Sequence, residues 1–141
     1  MNFYAKVLIG AGAPVGAAAL LIFLLASSEE KTIEKVLKEG AEAAARGDAE
    51  AVIALLSKTY QAPNQDYEAA VRRIRVEVGR AKGMTLEVAG AQIRVEGEEA
   101  DADVLVRVRA GPRPLGDVGL RLRLKKEGGA WKVIRGEEVP R

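Results

Sequence analysis

The spacing of apolar residues changes near Gly83, and this change constrains the fold more than any other feature of the sequence. Before Gly83, apolar residues recur at every third or fourth position, as Tyr67, Val71, Ile74 and Val78 do. After it they alternate with polar residues, which is the pattern of strands that bury one face. Helices followed by alternating strands indicate an α+β domain, in which the helices pack on an antiparallel sheet.

Three helices are predicted ahead of the sheet. The first covers the apolar positions between residues 33 and 44, and Gly47 suits the position after its end. A second helix begins after Asp48, which can cap it, and a third is capped by Asn64 or Asp66. The apolar face of the second helix contains Val52, Leu55 and Leu56.

About four strands are predicted after Gly83. In the first, the apolar alternation slips between Val88 and Ile93, which indicates a bulge near Gly90 in one bent strand, or two strands joined there. The next two strands alternate without interruption, and residues 128–129 (Gly-Gly) form a tight turn before the last. Their inward positions are Ala102, Val104, Val106 and Val108, and then Val118, Leu120, Leu122 and Leu124.

The segment from Val7 to Ser28 contains no charged side chain. As a helix, residues 7–26 would span about 30 Å, the thickness of the hydrocarbon core of a bilayer. We therefore expect a single-pass membrane anchor in residues 1–28 and a folded domain in residues 29–141. A signal peptide cleaved near Ser28 and a buried core helix are the alternatives. Gly12 and Gly16 have the spacing at which two membrane helices can pair closely.

The charges beside the apolar segment bear on its orientation in a membrane. Lys6 precedes it, whereas three lysines follow it between residues 31 and 38. Long domains translocate largely regardless of flanking charge, so we expect the domain on the extracytoplasmic, periplasmic side. Its first helix either starts at a capping box formed by Ser27 and Glu30 or continues directly from the anchor, because no Pro or Gly intervenes.

The composition excludes several kinds of site. The chain contains no Cys and no His, which removes disulfides, thiolate nucleophiles, most zinc sites and most hydrolase triads. Its formal net charge is +2, whereas nucleic-acid binders usually carry a large basic excess. We therefore expect no metal, no cofactor and no nucleic-acid partner.

Two phrases of the sequence carry a family resemblance. Residues 47–57 read GDAEAVIALLS, and residues 128–134 read GGAWKVI. With the order of the elements, they resemble the nuclear transport factor 2-like superfamily, which includes SnoaL-like cyclases and ketosteroid isomerases. The resemblance implies a membrane-anchored bacterial member, in which residues 29–141 form a cone of three helices on a strongly curved sheet. It implies a pocket at the open end and leaves the function open.

Isomerase-like chemistry in such a pocket would need a carboxylate base and a Tyr or acid donor. The candidates are Tyr60, Asp66 and Tyr67, but Tyr67 lies on a helical apolar stripe and Asp66 is placed as a helix cap. The inward strand positions are almost all aliphatic, so they offer no acid–base pair. We therefore expect no enzyme, and we take Tyr60, Tyr67 and Trp131 as pocket candidates for a small apolar ligand.

Basic residues are concentrated on one predicted face of the sheet, which we call the basic face. It contains Arg107, Arg109, Arg121, Arg123, Lys125 and Lys132. Acidic residues on neighbouring strands can pair with some of them. The primary hypothesis is a membrane-tethered, non-catalytic interaction or assembly module. It would bind a protein partner or a second copy through this face or the mouth of the pocket. The alternative is a pocket protein that binds a hydrophobic small molecule, with isomerase- or cyclase-like activity.

Overall fold

The computed structural model describes the backbone of residues 17–140 and the side chains of residues 28–140. Its helices are α1 (Ala17–Ala45), α2 (Ala49–Ile53) and α3 (Tyr67–Ala81). Its strands are β1 (Gln61–Ala62), β2 (Gln65–Asp66), β3 (Thr85–Glu96), β4 (Glu99–Ala110), β5 (Arg113–Glu127) and β6 (Ala130–Val139). The four long strands form one antiparallel sheet in the order β3-β4-β5-β6, and the two short ones pair separately. This is the predicted α+β architecture with a four-stranded sheet.

Helix α1 corrects the prediction of an anchor helix followed by three more helices. It runs without a break across the predicted boundary at residue 28, so the described residues contain three helices in all. The segment between residues 17 and 39 has no Pro or Gly. The helical backbone hydrogen bonds therefore continue through Ser27. Within residues 17–140, no helix has the length and apolar character needed to cross a bilayer. The first part of the predicted span, with Gly12 and Gly16, lies outside the described residues.

The caps predicted for the two later helices are present. The side chain of Asp48 accepts a hydrogen bond from the N–H of Ala51 at 3.1 Å. Asp66, one of the two candidate caps of the third helix, accepts one from the N–H of Ala69 at 2.9 Å. Each cap satisfies a backbone donor that has no partner within its helix, and this fixes where the helix begins.

Helix α2 is shorter than predicted, because the residues after it bind to the sheet instead. Leu55 follows the helix in a turn, and Leu56 forms an isolated β-bridge with Val133. Their backbone is held by β6: Ser57 N–H donates to Val133 O at 2.9 Å, and Val133 N–H donates to Leu55 O at 2.8 Å. Hydrogen bonds between distant segments have here replaced the bonds that a longer helix would make.

Strand β3 is one continuous strand with a bulge, which was one of the two predicted possibilities. Its register against β4 shifts between Val88, opposite Val106, and Gly90, opposite Leu105. A bulge bends the strand and increases the local twist of the sheet. The bent sheet curves around α1, which packs against it.

The packed core lies toward the end of the sheet where β3 turns into β4 and β5 into β6. Ile33 of α1 and Leu124 of β5 are completely buried there. The rest of this cluster consists of Ile93, Ala100, Ala102, Val104 and Trp131. The inner face of the sheet beyond this core is not filled by side chains in the same way, and it lines the cavity described below.

A polar contact fastens α1 to the β5–β6 hairpin at the packed end. The carboxylate of Glu29 accepts a hydrogen bond from the indole N–H of Trp131 at 2.9 Å. Its other oxygen lies 3.2 Å from the ammonium of Lys126. The indole ring is buried, so this bond satisfies a donor that would otherwise be left without a partner.

Candidate functional site

A cavity of about 500 Å³ lies between the helices and the inner face of the sheet. A cavity of this size falls within the usual range for small-molecule sites. The sheet lines it with alternate residues of the three strands β3, β4 and β5. These residues are Leu86, Val88, Val104, Val106, Val108, Val118, Leu120 and Leu122. The wall that these three strands form is therefore entirely aliphatic, and the edge strand β6 adds Val133, Gly136, Glu137 and Glu138.

The helices complete the apolar wall with small and aliphatic side chains. Helix α1 presents Gly40, Ala41 and Ala44 to the cavity, and these residues occupy little volume. An added Cβ at Gly40 would approach the side chain of Leu55 to 3.0 Å, so the helix lies close to its neighbour at that point. Helix α3 contributes Ile74, with other apolar side chains beside it. The small residues of α1 leave the space that the strand side chains do not fill.

Tyr60 lies in the cavity wall, as proposed from the sequence. Its side chain is buried, and its hydroxyl donates a hydrogen bond to Gly136 O in β6 at 3.2 Å. Burial raises the pKa of the Tyr60 phenol, while the positive charges of Arg73 and Arg135 act in the opposite direction. Because its proton is donated to Gly136 O, the phenol offers its oxygen as a hydrogen-bond acceptor in the cavity wall.

The polar residues of the cavity gather at one side, between α3 and the edge strand β6. We call this set the lip. It consists of Gln65, Arg73 and Glu77 on one side of the opening and Glu137 and Glu138 on the other. Its four charged residues are exposed to solvent. In register, Glu138 is opposite Leu120, which places it on the inner face of the sheet. The cavity thus has an aliphatic interior and a charged entrance.

The other two aromatic candidates lie outside the cavity wall. Trp131 is buried in the core and is bound to Glu29. Tyr67 packs at the start of α3 in a smaller cluster with Tyr60, and it borders a second depression of about 560 Å³. Asp66 caps α3. Among the described side chains, no group of three acidic residues is arranged to hold a metal ion.

The second depression contains a buried hydroxyl. The Ser57 hydroxyl donates to the carboxylate of Glu127 at 2.9 Å, and it accepts a hydrogen bond from the N–H of Thr59 at 3.1 Å. The hydroxyl of Thr59 lies 2.8 Å away and completes the group. These contacts join the loop after α2 to the end of β5. They account for a serine that is only 2% exposed.

On the basic face, three of the six residues are paired with carboxylates. Arg107 lies 3.5 Å from Asp117, and Arg121 lies 3.3 Å from Asp103. Arg123 contacts both Asp101, at 2.9 Å, and Glu99, at 3.1 Å. The remaining residues of the face are Arg109, Lys125 and Lys132, of which Lys132 donates to the backbone oxygen of Ala54. Much of the positive charge is therefore neutralised within the sheet.

Sequence reasoning did not select the lip residues. Arg73 and Glu77 lie off the apolar stripe of α3, where charged residues ordinarily face solvent. Simple alternation from Trp131 and Val133 places Glu138 on the outer face, and it reaches the inner face only because the register of β5 and β6 shifts between Arg123 and Leu124. No sequence pattern indicates that α3 and β6 face each other across an opening.

Comparisons with known proteins identify the fold. No family model and no curated protein matches the sequence. Solved structures do match. A nuclear transport factor 2-like protein with a cystatin-like fold, from Novosphingobium aromaticivorans, is 20% identical with a TM-score of 0.69. The match covers 89% of this chain and 90% of that one.

Two further structures of the same fold carry names with different implications. A candidate scytalone dehydratase from Novosphingobium aromaticivorans is 19% identical, with a TM-score of 0.62 and coverage of 79% of this chain and 83% of that one. A candidate calcium/calmodulin-dependent protein kinase type II association domain from Thiobacillus denitrificans is 14% identical, with a TM-score of 0.68 and coverage of 78% and 95%. With its helices packed on a four-stranded antiparallel sheet, the chain has the nuclear transport factor 2-like fold.

Proposed function

We propose that this protein binds an apolar small molecule in the cavity between its helices and the inner face of its sheet. The observation that carries the proposal is the cavity itself, with a volume of about 500 Å³ and an aliphatic wall. Burying the apolar surface of a ligand against such a wall is favourable, and the preformed space lowers the cost of ordering the site. This was the alternative hypothesis from the sequence.

The pocket is preferred to a protein-binding basic face for an electrostatic reason. Arg107, Arg121 and Arg123 already have carboxylate partners, so an acidic partner would have to compete with them. Exposed ion pairs of this kind are weak, but they remove most of the net charge that would attract a partner. The fold does not choose between the two, because it occurs both in a candidate dehydratase and in a candidate association domain.

We propose binding rather than catalysis because of how the polar groups are distributed. Tyr60 is the buried hydroxyl of the cavity wall, and its proton is engaged by Gly136 O. The carboxylates of Glu77 and Glu138 lie at the exposed lip, away from the aliphatic interior. A general base acting on a ligand inside the cavity would have to lie within hydrogen-bond reach of the reacting proton.

Photolabelling tests the proposal. We expect a diazirine derivative of decanol to label the full-length protein at cavity residues, as located by mass spectrometry of its peptides. Ala41→Phe places a ring in the cavity and should reduce this labelling at least about fivefold, since the ring occupies the space of the ligand. Val76→Phe, at an α3 position outside the cavity that is 52% exposed, is the matched control. Equal labelling of both variants would contradict the proposal.

We also propose that residues 7–26 attach the domain to a membrane, with the domain on the extracytoplasmic side. The support is the run without charged side chains from Val7 to Ser28 and the continuity of α1 through residue 28. The test is to extract native membranes with alkaline carbonate and then to measure the mass of the protein in the membrane and in the released fraction. Retention at full mass supports an anchor, whereas release of a chain shortened near Ser28 supports cleavage.

A further inference from the structure

The lip carries charges of both signs, and some of its charged side chains have an ion-pair partner whereas others do not. Glu77 lies 3.5 Å from Arg80, and Glu137 lies 3.8 Å from Arg121, so both carboxylates have a cationic neighbour. Arg73 lines the cavity and has no ion pair within the described residues. On the same helix, Arg75 is bound to Glu50 and Arg80 lies beside Glu77, whereas Arg72 has no ion pair within the described residues but does not line the cavity. Arg73 is thus a guanidinium at the entrance whose forked donors remain to be satisfied by water or a ligand.

The interior next to Arg73 favours a negative group. Arg73 and Arg135 are close enough to the Tyr60 hydroxyl for their charges to lower the pKa of that phenol against the effect of burial. Both guanidinium groups therefore act on the part of the cavity wall around the Tyr60 hydroxyl. A guanidinium binds a carboxylate through two parallel hydrogen bonds, a geometry that lysine cannot provide.

The acidic residues of the lip limit how much negative charge can be accepted. Glu138 faces the opening from β6 and has no ion pair within the described residues. With Glu77 and Glu137 nearby, it would repel a group carrying two negative charges, such as a phosphate monoester. A single carboxylate adds one negative charge and can be matched by one guanidinium.

We propose that the ligand of the cavity is an amphiphilic monocarboxylate, with its apolar body against the aliphatic wall and its carboxylate bound by Arg73 at the lip. This inference rests on the proposed function, because it assumes that the cavity binds an apolar molecule. It adds the chemical class of the ligand and the residue that selects it.

Competition against the photoreactive decanol tests the head group in the full-length protein. Decanoate and decanol have the same apolar chain and differ in the head. We expect decanoate to displace the label from wild type at about tenfold lower concentration than from Arg73→Gln, with decanol equally effective on both. The probe also partitions into detergent or lipid, but this affects both proteins equally. The ratio of the two competing concentrations therefore does not depend on it.

Arg72→Gln is the matched control, because Arg72 neighbours Arg73 on α3 but does not line the cavity. It should behave as wild type toward both competitors. Decanoate that competes equally with wild type and Arg73→Gln would overturn the inference while leaving the proposed function intact. Decyl phosphate, a phosphate monoester, competing better than decanoate would overturn the choice of a single carboxylate. If neither decanoate nor decanol reduces labelling of the cavity residues, the proposed function itself fails.

Discussion

At the scale of single residues, Glu30 is the most unusual side chain of the described region. It lies on α1, is 6% exposed and has neither a hydrogen bond nor an ion pair with the described residues. Burial raises the pKa of its carboxyl group from 4.5 to about 6. The folded protein therefore holds the proton of Glu30 more tightly than the unfolded chain does.

This raised pKa predicts a stability effect that depends on pH. Above pH 6 the folded state contains a buried carboxylate, which costs at most about 2 kcal/mol, and below pH 4.5 the cost disappears because both states are protonated. Glu30→Gln should therefore be more stable than wild type at pH 7 and nearly equal to it near pH 4. Denaturant unfolding of the full-length protein across this range measures the difference. Glu39→Gln, at an exposed position of the same helix, is the control. A difference between Glu30→Gln and wild type that stays constant with pH would contradict the assignment.

Trp131 allows a second prediction at the same scale. Replacement by Phe removes the indole N–H that Glu29 accepts and part of a fully packed ring. We expect Trp131→Phe to lower the free energy of unfolding by about 2–4 kcal/mol, from a lost charge-assisted hydrogen bond and a new cavity. Glu29→Gln retains an acceptor for the indole N–H and should lower the free energy of unfolding by less. Equal losses in the two variants would show that the charge of Glu29, and not the indole contact, is what stabilises the hairpin.

At the scale of secondary structure elements, two glycines of the sheet have different roles. Gly90 lies at the bulge of β3, but its φ is not positive and an added Cβ would meet nothing within 4 Å. Gly128, in the β5–β6 turn, has a φ of +57°. The bulge therefore does not need a glycine, whereas the turn places its residue in the left-handed region that side chains disfavour.

Substitution of these glycines by Ala should change stability in opposite directions. Gly90→Ala is expected to stabilise the protein by about 0.5 kcal/mol, because it reduces the conformational freedom of the unfolded chain. Gly128→Ala is expected to destabilise it by about 1 kcal/mol. Denaturant unfolding curves of the two variants measure both changes. A loss of more than 1 kcal/mol in Gly90→Ala would mean that the bulge requires glycine after all.

The elements also show where local patterns predict structure well. The caps at Asp48 and Asp66 and the bulge in β3 depend on neighbouring residues. The sequence predicted the first, and it offered each of the other two as one of two possibilities. The predicted length of α2 was wrong, because Leu55 lies in a turn after the helix and Leu56 forms a β-bridge with Val133 in β6. Hydrogen bonds to a strand so distant in sequence compete with the helical bonds. The residues around Leu55 give no indication of them.

At the scale of the whole molecule, the domain is packed at one end and hollow at the other. The core around Ile33 and Leu124 excludes solvent completely, whereas the cavity leaves aliphatic side chains without neighbours. Side chains that line such an unfilled apolar space make fewer dispersion contacts, and this lowers the free energy of unfolding. In the proposed function, this lost stability is the cost of keeping the space open for a ligand.

Partial filling of the cavity should therefore raise stability as it removes binding. We expect Ala41→Phe to increase the free energy of unfolding by about 0.5–2 kcal/mol, because the ring gains contacts with the aliphatic wall. Val76→Phe, at an exposed position, should change it by less than about 0.5 kcal/mol. Thermal unfolding in the absence of ligand measures both. A clear destabilisation by Ala41→Phe would indicate that the space beside α1 is too small for a ring.

Local sequence patterns were sufficient to predict three helices followed by four long strands, the inward positions of β4 and β5 and the Asp48 cap, because each depends on residues within a few positions of one another. The lip and the contact between Glu29 and Trp131 arise only when the sheet curves and α3 crosses beside β6. Arg73 and Glu138 are far apart in sequence, and each by itself reads as an ordinary exposed charge. Their common position at the entrance depends on the path of the backbone in three dimensions, which short-range patterns do not encode.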